Sequence, residues 1–187
     1  MPYLILVAGM PGSGKSLVSD VASSLGLNVY VMGDVVREEA RRRGLPLTDE
    51  VLGRIAVELR KKEGMDVIAR RLYEKLVERG EKVAFIEGLR SLEEYDFFRK
   101  NAEKSHLIAV HASPETRYCR LKSRGREDDP KTREEFDERD RRELGMGIGS
   151  VIALAQTMLV NENIEKTEFS RRVEEVLQEI LRRWDLL

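Results

Sequence analysis

Five short apolar runs divide the chain: Leu4–Ala8, Val29–Met32, Val83–Ile86, Leu107–Val110 and Met158–Val160. Each run is continuous rather than alternating, which is the pattern of strands covered on both faces. Helical spacing fills the intervals. In the last interval Phe169, Val173, Val176, Leu177, Ile180, Leu181 and Trp184 make one apolar stripe, which assigns Trp184 to packing. Thr48 before Asp49 and Glu50, and Ser113 before Pro114, have the composition of helix N-caps. Strand alternating with helix predicts an α/β fold, a parallel five-stranded sheet flanked by helices, with ligands beyond the carboxyl ends of the strands. No repeat, low-complexity tract or Pro- or Gly-rich linker interrupts residues 1–187, so one domain is expected.

The first run leads directly into Gly9-Met10-Pro11-Gly12-Ser13-Gly14-Lys15-Ser16, a complete G-x-x-x-x-G-K-[ST] loop. Its glycines free the backbone to turn successive N–H groups onto one anion. A helix read over Leu17–Leu25 adds the positive end of its dipole on the same side. Lys15 is placed to reach the β- and γ-phosphates of ATP, and the Ser16 hydroxyl to complete a Mg²⁺ coordination shell. ATP and Mg²⁺ are therefore the expected cofactors, and a chance match is disfavoured because strand, loop and helix occur in order.

Charge narrows the partners. Lys and Arg number 33 against 34 Asp and Glu, for a formal net charge of −1. Such a balance supplies no net field toward nucleic acid or anionic lipid, and neither is an expected partner. No apolar stretch approaches the length of a membrane span, and the N-terminal run belongs to the first strand, so a cytoplasmic protein is expected. No pattern specifies an oligomeric state. Cys119 is the only cysteine, which rules out an intrachain disulfide and suggests a small buried apolar residue.

Two strand ends carry paired charges. Gly33-Asp34 and then Arg37 follow the second run, and Glu87-Gly88-Leu89-Arg90 follows the third. Glu87 suits a Mg²⁺-bound water, while Arg37 and Arg90 have the planar donor forks that grip a second phosphate. His106 and His111 flank the fourth run without a clustered second ligand and are read as structural, so no metal site beyond Mg²⁺ is expected.

Gly33-Asp34-x-x-Arg37 resembles the acceptor-binding segment of adenylate kinases, and Glu87-Gly88-Leu89-Arg90 is similar to their Asp-Gly-Phe-Pro-Arg segment, one residue shorter. From Val110 to Leu177, with Arg120, Arg124 and the Leu159-Val160-Asn161 strand end, the chain looks more like dephospho-coenzyme A kinases. Together these segments resemble the archaeal family of adenylate-kinase-related P-loop proteins, which stands between the two enzymes. The resemblance implies a three-layer P-loop NTPase fold of the nucleoside monophosphate kinase type. It implies an acceptor-binding helical segment at about 35–80 and a lid-like charged segment at about 120–145. Within these, Gly33, Asp34, Arg37, Gly88 and Arg90 would bind the acceptor, and Lys15, Asp34, Arg90, Arg120 and Arg124 would be catalytic, with Arg126 a further lid cation. Gly145, Gly147 and Gly149 stand where hinges or turns are needed. Two positions depart from adenylate kinases: Met32 replaces a Thr, and Glu94 replaces a base-reading Gln. A carboxylate there accepts hydrogen bonds only, so it suits a donor-rich base edge or no base.

The expected activity is transfer of the γ-phosphoryl of Mg·ATP to a nucleoside monophosphate or similar small phosphorylated acceptor. One alternative is a hydroxyl kinase like dephospho-coenzyme A kinase, in which Asp34 would act as base. The other is a nucleotide-binding ATPase or switch without a small-molecule acceptor. The chain has neither an Asn-Lys-x-Asp nor an Asp-x-x-Gly signature, which disfavours a GTPase switch.

Overall fold

A parallel five-stranded sheet organises the chain in the computed structural model, which describes residues 1–126 and 129–187. Glu127 and Asp128, both in the segment expected to be lid-like, lie outside the described residues. The strands are β1 (Tyr3–Ala8), β2 (Asn28–Val31), β3 (Val83–Leu89), β4 (Lys104–His111) and β5 (Thr157–Val160). Their order across the sheet is β2-β3-β1-β4-β5, with every pairing parallel. Central β1 explains its continuous apolar run: Leu4 to Ala8 are all fully buried, because helices cover both faces.

The pleat sends alternate residues of β1 into different cores. Leu4, Leu6 and Ala8 pack with α2 (Met32–Arg42), α3 (Asp49–Glu63), α4 (Val67–Glu78), α5 (Leu92–Asn101) and α8 (Ile148–Ala153). Ile5 and Val7 pack with α1 (Lys15–Ser24) and α9 (Lys166–Arg183), where Trp184 lies 5.5 Å from Tyr3, ring centre to ring centre. Two more helices, α6 (Pro114–Arg124) and α7 (Arg133–Gly145), follow β4. Thr48 and Ser113 cap α3 and α6 through their side-chain oxygens, as their positions predicted. Thr132 and Glu135 add a reciprocal capping box at α7.

Three local expectations change. Met32 begins α2 rather than ending β2, because the β2 ladder stops at the Val31–Glu87 pair. Beyond that pair β3 itself slips: Val7 faces Glu87 but Ala8 faces Leu89, leaving Gly88 as an extra residue at φ +102°. Glu87 and Gly88 therefore lie inside β3 rather than after it. Cys119 is exposed, since α6 turns Arg117 and Leu121 inward and Cys119 to the other side.

Candidate phosphate and acceptor site

Close packing shapes the loop between β1 and α1. Gly14 has φ +105°, and a Cβ added there would sit 2.2 Å from Asn161 Nδ2. A Cβ at Gly9 would stand 2.5 Å from the Val110 carbonyl oxygen. The glycines are thus demanded by neighbours as well as by backbone angle. Asn161 Nδ2 donates to the Ser13 carbonyl at 2.9 Å, and Arg120 Nη2 donates to the Asn161 carbonyl at 3.0 Å. Arg117, buried on α6, adds a third brace by donating from Nη1 to the Pro11 carbonyl at 3.2 Å.

Lys15 folds back over this loop, with Nζ donating to the Gly9 carbonyl at 2.7 Å and to the Met10 carbonyl at 3.2 Å. Burial lowers its pKa from 10.5 to about 8, although the Glu87 carboxylate pulls the other way. The Ser13 hydroxyl oxygen is buried with no partner among the described residues. An ammonium that gains from a nearby anion and an orphaned polar atom both fit a bound phosphate.

Ser16 lies in the first turn of α1, and lines one cavity together with Asp34 and Glu87. Glu87 accepts from Ser19 Oγ at 2.5 Å, which orients its carboxylate. A hydroxyl with two carboxylates is an oxygen donor set that suits Mg²⁺, an ion that retains several waters and takes few protein ligands. The residues therefore fit the metal that the loop implies.

Two further cavities adjoin. One includes Gly9, Pro11, Gly12 and Lys15 in its lining; the other runs between α2, α3 and α7. Gly33, Arg37, Arg90, Arg139 and Glu143 line both. A Cβ at Gly33 would stand 3.0 Å from Arg37 Nη1, the tip of a flexible side chain, so the glycine leaves room for the guanidinium without being required by the backbone. Carboxylates accompany the arginines: Arg37 Nη1 is 2.9 Å from Asp34 Oδ1, and Arg90 Nε is 3.1 Å from Glu143 Oε2. Arg142 Nη2 is 2.5 Å from Asp49 Oδ2, and Arg124 Nη2 is 2.5 Å from Asp129 Oδ1. Arg120, Arg124 and Arg126 line a cavity with Gly12, Lys15 and Ser16.

The structure thus brings the loop, Asp34, Arg37, Glu87, Gly88, Arg90, Arg120 and Arg124 to one end of the sheet. Glu94 is not available to read a base. It is fully buried, with Oε1 accepting from Arg60 Nη2 at 2.5 Å and Oε2 from the Arg90 backbone N–H at 2.8 Å. His106 bonds Thr157 Oγ1 across the β4–β5 pair at 2.8 Å, and burial lowers its pKa. Sequence reasoning missed Arg117, Arg139 and Glu143, and took Asn161 only as a strand end. Arg139 and Glu143 were detectable as an i, i+4 pair on one face of α7, but most of the surrounding positions are charged as well.

The AAA_18 family, described as an AAA domain, matches residues 5–144. A UPF0200 protein of Hyperthermus butylicus is 50% identical over 177 residues, covering 95% of this chain and 94% of the relative. The chain belongs to the UPF0200 family. Its fold is that of P-loop kinases. A gluconokinase from Sinorhizobium meliloti superposes with TM-score 0.58 at 17% identity, covering 98% of this chain and 95% of that one. For a shikimate kinase from Aquifex aeolicus the TM-score is 0.53 at 19% identity, covering 94% and 96%. No helix among the described residues of this family member is long and apolar enough to cross a membrane.

Proposed function

We propose that this chain is a Mg·ATP-dependent small-molecule kinase whose acceptor occupies the arginine-lined cavity, a nucleoside monophosphate or a similar small phosphorylated compound being the expected class. The observation that carries the reading is the wall shared by the two cavities: Arg37, Arg90 and Arg139 face both the phosphate loop and the space beside it. A donor phosphate on the loop and an anionic acceptor in the second cavity would meet at Lys15. In this reading the loop from Gly9 to Ser16 cradles the triphosphate, with Lys15 as the mobile cation. Ser16, and Glu87 through water, hold Mg²⁺, which when bound neutralises charge on the β- and γ-phosphates.

Gly33, Asp34, Arg37, Gly88 and Arg90 position the acceptor against the helical segment spanning about 35–80. Arg120 and Arg124, from the segment spanning 120–145, face the phosphoryl group in transit. Arginines placed there act on charge spread over the transferring oxygens and can contribute about 10³ or more in rate. The fold neighbours named gluconokinase and shikimate kinase agree with a kinase of this general kind.

Incubation of the protein with Mg·ATP and a panel of nucleoside monophosphates, dephospho-coenzyme A, gluconate and shikimate, with products detected by mass, tests the proposal. The expected result is one acceptor phosphorylated well above the background of ATP hydrolysis. Hydrolysis alone across the panel would replace this reading with a nucleotide-dependent ATPase or switch.

A further inference from the structure

Glu143 on α7 is only 2% exposed, yet it lines both adjoining cavities. Its Oε2 is sealed from water and has no hydrogen-bond donor among the described residues, although Arg90 Nε lies 3.1 Å away. The carboxylate oxygen is thus charge-paired with Arg90 but accepts no hydrogen bond, and a buried acceptor in that state is stabilised by a donor that arrives on binding. Around it stand Arg37, Arg139 and Arg142, with Val36, Ala56 and Met146 completing the far wall.

This mixture constrains what fits. A plain anion suits a lining in which Arg37, Arg90, Arg139 and Arg142 outnumber Asp49 and Glu143 but is repelled by Glu143, and a neutral alcohol suits Glu143 but makes no use of that cationic excess. A molecule with an anionic group and a neighbouring hydroxyl satisfies both at once. The apolar wall then accepts a compact carbon skeleton between them.

Building on the kinase reading above, we propose that Glu143 is a specificity-determining residue and that the acceptor is a polyhydroxylated small anion: a sugar phosphate, a ribose-bearing nucleotide or a polyhydroxy acid. One hydroxyl donates to the Glu143 carboxylate, while the anionic group lies against Arg37 and the terminal nitrogens of Arg90. Rejection of hydroxyl-free anions follows from the same residue, since they would bring a like charge beside the carboxylate and no hydrogen-bond donor for it.

Calorimetric titration of the full chain, with Mg²⁺ and a non-hydrolysable ATP analogue present, tests this with two probes. Ribose 5-phosphate carries hydroxyls; n-pentyl phosphate matches it in charge and approximate length and has none. Native protein is expected to bind ribose 5-phosphate about tenfold or more tightly than n-pentyl phosphate. In Glu143→Gln that ratio is expected to shrink several-fold, mainly because the hydroxyl-free probe binds better once the negative charge is gone. The native comparison requires no variant, so it decides the matter even where Glu143→Gln misfolds. Equal affinities in the native chain, no binding of either probe, or an unchanged ratio in the variant would overturn the role of Glu143. Failure to take up the ATP analogue would instead overturn the kinase reading beneath it.

Discussion

Arg117 on α6 and Asp140 on α7 form a two-pronged ion pair, with Nη1 2.7 Å from Oδ1 and Nη2 2.5 Å from Oδ2. The same guanidinium donates to the Pro11 carbonyl in the phosphate loop and, through Nε, to the Ala112 carbonyl at 3.2 Å. One buried cation thereby ties α7 to the loop. Removing Asp140 leaves that cation without its counter-charge, so Asp140→Ala is expected to cost about 3–5 kcal/mol, read from chemical denaturation. A loss no larger than that of an exposed α7 control such as Glu134→Ala would contradict the structural role.

Lys15→Ala should abolish measurable Mg·ATP affinity in calorimetry while leaving the denaturation midpoint near that of the native chain. The ammonium donates to the Gly9 and Met10 carbonyls of the loop rather than into the core. Retained affinity would remove the foundation of the nucleotide reading.

The pH dependence of binding follows from Lys15. Burial holds its free-state pKa at about 8, so the charge that attracts the triphosphate is present below pH 8 and is lost as pH rises through that value. A bound polyanion favours the charged form and raises the pKa. Mg·ATP affinity is expected to weaken progressively above pH 8, with net proton uptake on binding near that pH, visible as a buffer-dependent heat. A flat profile from pH 7 to about 9.5 would show that burial does not depress this lysine.

Glu94→Ala breaks the buried pair with Arg60 and should destabilise by about 3–5 kcal/mol. Replacing both partners at once, as in Arg60→Met with Glu94→Met, should cost less than the single change, because no charge is then left buried. Additive losses in this cycle would mean that the two side chains are not coupled.

Asp34→Asn separates two kinds of acceptor. Near-complete loss of transfer with the best substrate identifies Asp34 as a base for a hydroxyl, whereas a mild defect that added Mg²⁺ relieves identifies an anionic acceptor that needs no base. Asp34 has half-exposed geometry beside Arg37, which permits either role, and the kcat of the variant decides between them.

The parts of this molecule written as local patterns were readable from residue types alone. The phosphate loop is contiguous, and β1, β3 and β4 are continuous apolar runs because both their faces are covered, whereas the run at edge strand β5 leaves Met158 and Val160 exposed, so an apolar run there did not mean two covered faces. Strand order carries no local signal, since parallel crossovers permit several arrangements of the same runs. Of the two readings open for Glu94, a donor-rich base edge or no base, the structure takes the second, and residue types could not decide it because its partner Arg60 stands 34 residues away and only folding brings the two to 2.5 Å. Glu143 and Arg139 were hidden by their surroundings: on a helix where nearly every residue is charged, the two that turn inward look like the rest. Cys119 was misplaced because hydrophobicity suggests burial, whereas its side of α6 faces outward.

Arg37, Arg90, Arg124, Arg139 and Arg142 crowd one opening, and each has an Asp or Glu oxygen within 4 Å. Because long-range attraction depends on uncompensated charge, an open mouth rich in guanidinium groups exerts little pull on RNA or polyphosphate drifting past it. Only a compact guest able to enter and displace the resident carboxylates gains the full strength of those cations, so a polymer passing the mouth is expected to meet a weaker attraction than the number of arginines alone suggests.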